Sequence, residues 1–232
     1  RKNTKEKAFK IADAEELLSI YDRSRNWADV LIAQEWITGT DKNHITCNCY
    51  FNSASEPLVV FTSRKLRQWP QKTGQGCFGE AFRDEIVSRD TVRIFQSVDF
   101  CGLAYLEMKR DEQSGKYFII EPNVGRPTGR SATAEANGVE LIYTMYCDAV
   151  GWTLPTNREQ KEGDVKWIYL RQDIQSALYS WLYGELTLRE WLRSLRGRKW
   201  DAVFSWTDLA PFWYDLWRAV VLLIKPKSVK RR

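Results

Sequence analysis

Hydrophobic and polar positions alternate with period two over two long stretches of this chain and repeat with helical spacing over others. The runs ITCNCYFN (45–52) and PLVVFTSRK (57–65) alternate around the turn NSASE and predict a β-hairpin. GLAYLEMK (102–109) and KYFIIEPN (116–123) predict a second hairpin, closed by RDEQSG. In DAEELLSIYDRS (13–24), Asp13 is positioned to cap a helix with Glu16 three residues on, and Leu17, Leu18 and Tyr21 share one helical face. The apolar run DVLIAQEWITG (29–39) predicts a buried strand that ends at Gly39. TGQGCFGE (73–80) reads as a glycine-rich loop, and residues 90–99 as a short helix opening near Asp90. GRPTGRSATAEANGVELIYTMYCDAVG (125–151) begins as a loop and becomes two helices that break at Asn137-Gly138.

Near Gly151 the composition shifts, and eight of the eleven tryptophans lie beyond it. DIQSALYSWLYGELTLREWLRSLRGRKW (173–200) is helical with an interruption at Gly184, and FWYDLWRAVVLLIK (212–225) is an apolar helix. The fold class is therefore α+β, with an α-helical, tryptophan-rich extension over residues 151–232. Trp181, Trp191, Trp206, Trp213 and Trp217 are expected to pack on the core, because Asp208 and Asp215 interrupt the apolar face of the last helix. The rival reading lays LWRAVVLLIKPKSVKRR on an anionic membrane surface, and is the less favoured of the two.

Composition narrows the function classes. A hydrophobic content of 44% supports a core. The net charge is +5, and much of the excess sits at the two ends, in RKNTKEKAFK and KPKSVKRR. Such termini read as solvated tails, so a nucleic-acid partner is not expected. The five cysteines at 47, 49, 77, 101 and 147 form no CxxC, and the one histidine, His44, cannot build a zinc site alone. Reduced thiols in a cytoplasmic protein are the expectation, with no secretory signal and no apolar run long enough to span a bilayer. The chain opens on Arg1, which reads as a piece of a longer protein.

Candidate chemistry concentrates in the second hairpin. Residues two apart on a strand face one side, so Glu121 and Asn123 point together, and Glu107 on the neighbouring strand can stand across from them. Two close carboxylates repel unless a cation lies between them, and magnesium takes carboxylate and amide oxygens. From spacing alone, acids that simply face water are an equal reading. Arg126 and Arg130 downstream tilt the choice towards an anionic ligand. In RKLR (64–67), alternation sends Lys65 and Arg67 to the side opposite Arg64, where they are suited to phosphate oxygens or to a solvated edge.

GLAYLEMKRDEQSGKYFIIEPNVGRPTG resembles the metal-binding hairpin of the ATP-grasp superfamily, in particular its carbamoyl-phosphate-synthase-like carboxylate–amine ligases. DVLIAQEWITGTD resembles the hinge strand of that family, VVFTSRKLRQWPQKTGQG its strand-and-loop segment, and NGVELIYTMYCDAVG the helix after its metal site. The likeness covers about residues 1–151 and extends more weakly into GELTLREWLRSL and TDLAPF. Two departures stand out. The site reads Glu-Pro-Asn-Val-Gly-Arg where many members have Glu-Ile-Asn-Pro-Arg, so the arginine is displaced by one position. The chain also starts after the family's N-terminal domain and first lysine-bearing strand.

The resemblance implies a lid fragment (1–70), a core subdomain with the metal site (71–150) and the helical extension. It implies Mg2+ or Mn2+ at Glu107, Glu121 and Asn123, and ATP held by Lys7, by the hinge Gln34, Glu35, Trp36 and Ile37, by Asp41 at the ribose, and by Lys65 and Arg67. Arg126 and Arg130 would steady the transferring phosphoryl group. The implied reaction joins a small-molecule carboxylate to an amine through an acyl phosphate. The alternative is a non-catalytic nucleotide-binding or interaction module.

Overall fold

A computed structural model of the chain describes residues 8–71, 74–126, 129–161 and 163–224. The chain separates into two compact units, residues 1–38 and 39–232. The boundary between these units lies at residue 38 rather than at the expected residue 70, where the strand that ends at Trp69 and the strand that begins at Gln75 pair with each other in one sheet.

The first unit contains helix α1 (Ala14–Ser24). Asp13 caps it by accepting from the Glu16 backbone N–H at 2.8 Å, and the Glu16 carboxylate accepts from the Ala12 N–H at 2.8 Å. The Leu17, Leu18 and Tyr21 side chains are exposed rather than buried. Cation–aromatic contacts tie the unit together instead: Arg23 lies over Phe9, and Lys10 over Trp36, each 5.6 Å from the ring centre. The strand expected over 29–39 is not formed. Residues 29–38 carry no regular structure, and Val30, Leu31 and Ile32 are exposed. An apolar run makes a buried strand only when neighbouring strands accept its backbone groups, and every strand among the described residues belongs to the second unit.

The second unit is built on one seven-stranded sheet. Its strands are β1 (His44–Phe51), β2 (Pro57–Trp69), β3 (Gln75–Ala81), β4 (Gly102–Arg110), β5 (Tyr117–Val124), β6 (Lys166–Ile168) and β7 (Lys199–Asp201), in the order β5-β4-β1-β2-β3-β6-β7. Neighbours are antiparallel except for the parallel pair β6 and β7. Both hairpins form as expected, β1–β2 and β4–β5, and β4 also pairs with β1, which puts the two hairpins side by side. The described part of the Gly-rich segment from Gln75 on is strand rather than loop. Residues 75–81 are β3, with Cys77 and Phe78 fully buried, and a Cβ at Gly79 would lie 3.2 Å from the Arg64 carbonyl oxygen, so glycine there permits close strand approach.

The helix expected from Asp90 begins earlier. α2 (Glu85–Gln96) is capped by Asp84, whose carboxylate accepts from the Ile86 and Val87 N–H groups. Its Val87 and Phe95 pack on Ile45, Cys47, Cys49 and Phe51 of β1 and on Ala104, Leu106 and Met108 of β4. These are the odd positions of β1. Burial among them pushes the Cys47 thiol up to about 12, so these cysteines serve as packed apolar groups.

On the other face, Tyr50, Val59, Phe61 and Leu103 pack on residues of α3 (Ala132–Ala136), α4 (Leu141–Ala149) and the turn between them. Where β2 runs past the end of β3, the Gln160 amide stands in for a strand: it accepts from the Thr62 N–H and donates to the Thr62 carbonyl, both at 2.8 Å. The C-terminal segment adds α5 (Leu170–Leu182), α6 (Leu188–Ser194) and α7 (Ala210–Ile224).

Candidate functional site

The even positions of β1 are His44, Thr46, Asn48 and Tyr50; they lie on the face opposite α2, Tyr50 in its hydrophobic core and the three polar residues leading away from it. In register, His44 stands beside Lys109, Thr46 beside Glu107, and Asn48 beside Tyr105. β5 continues the same rows: Glu121 lies across from Glu107, and Asn123 from Tyr105. The three residues singled out in the hairpin therefore share one face, next to each other. A bulge between Glu107 and Met108 shifts the register, with Met108 opposite Ile119. Bulges of this kind re-aim the residues beside them.

Glu107 is the hub. Its Oε1 accepts from Lys65 Nζ at 3.1 Å and faces His44 Nδ1 at 3.2 Å. A carboxylate can only accept, so His44 carries its proton on Nδ1 and leaves Nε2 as the acceptor. Lys65 also donates to Gln68 Oε1 at 3.2 Å, and Gln68 Nε2 donates to Asp41 Oδ1 at 2.8 Å. Asp41 sits in a 3-10 turn (Asp41–Asn43) just before β1. Lys65, Gln68, Glu107 and Lys109 are all buried. This dryness governs the protonation states. Burial lowers the pKa of His44 below its ordinary value against the opposing hydrogen bond that its Nδ1–H donates to Glu107, lowers that of Lys109, and raises that of Asp41 against the pull of Lys65.

The donor chemistry of this face fits a hard divalent cation. Glu107 and Glu121 supply two carboxylates. The Asn123 Nδ2 is buried and has no hydrogen-bond partner among the described residues. Such an orphan donor costs about 1–3 kcal/mol, and turning the amide over places its oxygen there instead. Two carboxylates and an amide oxygen match what Mg2+ or Mn2+ accepts. Among the described residues no group of three or more His, Cys, Asp and Glu side chains is placed to hold a metal ion, so Asn123 is the third oxygen donor this face offers.

The other expected site residues lie elsewhere. Arg67 is turned away from this cluster's chemistry: its guanidinium donates to Asp173 of α5 at 2.6 and 3.0 Å and to Ser194 Oγ at 2.8 Å, and it stacks over Phe78. The bulge between Lys65 and Arg67 breaks the alternation on which their shared facing rested. Arg126 is exposed in the turn after β5, and Arg130 falls in a 3-10 turn (Gly129–Ser131) with its side chain outside the described residues. Lys7 lies outside the described residues altogether. Gln34, Glu35, Trp36 and Ile37 belong to the N-terminal unit, in its irregular segment. Sequence reasoning passed over His44, Gln68 and Lys109. The signal for two of them was present: His44 leads the polar side of β1, and Lys109 is two residues from Glu107 on one strand.

No family model matches the chain, and no curated protein does. Solved structures similar to it include a biotin carboxylase in complex with βγ-ATP from Campylobacter jejuni, at 14% identity and a TM-score of 0.46 over 66% of this chain and 34% of that one. The biotin carboxylase domain of a thermophilic 2-oxoglutarate carboxylase bound to bicarbonate is similar at 15% identity, TM-score 0.48, over 66% and 36%. The complete pyruvate carboxylase from Rhizobium etli is similar at 15% identity, TM-score 0.40, over 53% and 12%. The chain thus spans about a third of the two biotin carboxylase chains, 34% and 36%, and a smaller share of the pyruvate carboxylase.

Proposed function

We propose that this chain carries the metal- and phosphate-binding face of an ATP-dependent carboxylate–amine ligase of the ATP-grasp type. The observation that carries the reading is the register: Glu107, Glu121 and Asn123 occupy adjacent places on one face of paired strands, beside the buried ammonium of Lys65. The sequence resemblance of the same hairpin supports it.

A magnesium ion at Glu107, Glu121 and Asn123 would neutralise the β- and γ-phosphates of ATP. Lys65 supplies a second positive charge and can exchange its bond to Gln68 for a phosphate oxygen. His44, neutral through burial, orients Glu107 without adding charge. In the reaction, a substrate carboxylate oxygen attacks the γ-phosphorus and ADP leaves. An amine then attacks the acyl carbon, and inorganic phosphate leaves with the bonding pair. Phosphoryl transfer asks chiefly for position and charge neutralisation, which accounts for a site with no Ser–His or Cys–His pair.

The test is magnesium-dependent ADP release by a protein carrying this chain, over a panel of carboxylates and amines. Hydroxylamine in place of the amine would trap an acyl phosphate as the hydroxamate. Glu121→Gln is expected to lower turnover about a hundredfold or more while leaving the urea midpoint in place, since Glu121 is exposed. Nucleotide binding without ADP release under any pair of substrates would favour the non-catalytic module.

A further inference from the structure

Among the described side chains, the last helix is fastened along one side. Asp215 accepts from the Tyr169 hydroxyl at 2.7 Å and from Arg171 Nε at 2.8 Å, and Phe212 meets Phe204 edge-on at 5.3 Å. Phe212, Asp215 and Ala219 are spaced three and four apart and form that inner side. Turned away from it are Trp213, Tyr214, Trp217 and Arg218, and the three aromatics are 63%, 64% and 65% exposed. Trp206, 86% exposed, meets Phe204 edge-on at 4.8 Å beside the start of the helix. The expected packing on the core therefore does not occur for Trp181, Trp206, Trp213 and Trp217, whereas Trp191 is half-buried and its indole N–H donates to the buried Asp173 at 2.9 Å. The aspartates thought to spoil the apolar face are not on it, because Asp215 is turned inward and Asp208 accepts from the Ala210 N–H at the helix start.

Uncovered aromatic surface of this kind calls for an occupant, and the charge distribution selects one. Residues 186–232 carry eleven basic and four acidic side chains, against 24 basic and 26 acidic in residues 1–185. Five of the eight residues that follow Ile224 are basic. A second copy seated on this face by a two-fold axis would bring two such basic segments together and repel. An anionic surface attracts them. Tryptophan and tyrosine prefer the boundary between lipid headgroups and acyl chains, and stable surface attachment takes two signals, here aromatic burial and basic charge. None of the described helices is long and apolar enough to cross a membrane. We propose that the outer face of α7 docks this protein on an anionic phospholipid bilayer.

The 232-residue chain would be floated with vesicles of phosphatidylcholine alone and of equimolar phosphatidylcholine and phosphatidylglycerol. Binding to the anionic vesicles, weakened by salt, is the expected result. Trp213→Ser with Trp217→Ser should lower partitioning about tenfold or more, with the urea midpoint held, since both side chains are exposed. Lys225→Gln, Lys227→Gln and Lys230→Gln should each lower it about fivefold. Brominated acyl chains should quench the fluorescence of the parent more than that of the double tryptophan variant. Equal binding to both vesicle types, or full binding by the tryptophan variant, would overturn the proposal. Self-association without vesicle binding, lost in the tryptophan variant, would overturn it in favour of a second copy.

Discussion

The buried pair Lys65–Glu107 can be weighed by a double-mutant cycle. Its ammonium and carboxylate are 3.1 Å apart, with side chains only 4% and 9% exposed. At an effective dielectric of about 20, the attraction over that distance is about 5 kcal/mol before desolvation is counted. Removing one partner of such a pair costs about 3–5 kcal/mol, mostly because the other charge stays buried. Lys65→Met should fall near 3 kcal/mol by that measure, because Glu107 keeps His44 at 3.2 Å. Glu107→Gln should cost about 2 kcal/mol, since Lys65 retains Gln68 and gains an amide oxygen. With both replaced, no charge is stranded, so the double variant should cost about 3 kcal/mol rather than the sum, a coupling of about 2 kcal/mol. Urea unfolding followed by tryptophan fluorescence gives all four stabilities. A coupling below about 0.5 kcal/mol would show that the two groups act independently, and the account of Glu107 as the hub would fail.

Asp173, fully buried, accepts from both Arg67 and the Trp191 indole N–H, so Asp173→Ala should destabilise by about 3–5 kcal/mol; a loss under about 1 kcal/mol in urea would contradict this. Burial raises the pKa of Asp41, so the folded state holds that proton more tightly than the unfolded chain, and the resulting stability is present at low pH and lost as pH rises through the folded value. Asp41→Asn should therefore gain more in urea at neutral pH than just below the ordinary carboxylate range, and equal gains at both would refute the assignment. Gln160→Ala leaves the Thr62 N–H without its acceptor, while the Thr62 carbonyl keeps the Phe82 N–H at 3.2 Å, and a loss of about 1–3 kcal/mol is expected from thermal unfolding; an unchanged midpoint would count against it.

The sequence made the two hairpins legible because alternation survives whatever the tertiary context. It also placed Glu121 and Asn123 together, since that inference spans two residues. It failed where side chains carry no periodic signal or where burial depends on distant chain. β3 was mistaken for a loop because Gly76 and Gly79 remove the alternation that would have marked a strand. Residues 29–39 were mistaken for a strand because an apolar run does not reveal whether another strand is there to pair with it. The tryptophans were assigned to the core because hydrophobicity says that a surface prefers cover, without saying that the fold provides it. The meeting of Lys65, His44 and Glu107 needed the pairing of β1 with β4, a contact between hairpins that no local pattern announces.

The strand β1 divides its residues between two duties. Ile45, Cys47, Cys49 and Phe51 face α2, while His44, Thr46 and Asn48 face the carboxylates. Selection acting on the polar face can therefore work through one set while selection for persistence of the fold works through the other, in a single stretch of eight residues. Descendants of such a chain are free to diverge on the polar face while conserving architecture. Their β1 segments would carry a record of both histories, interleaved one residue at a time.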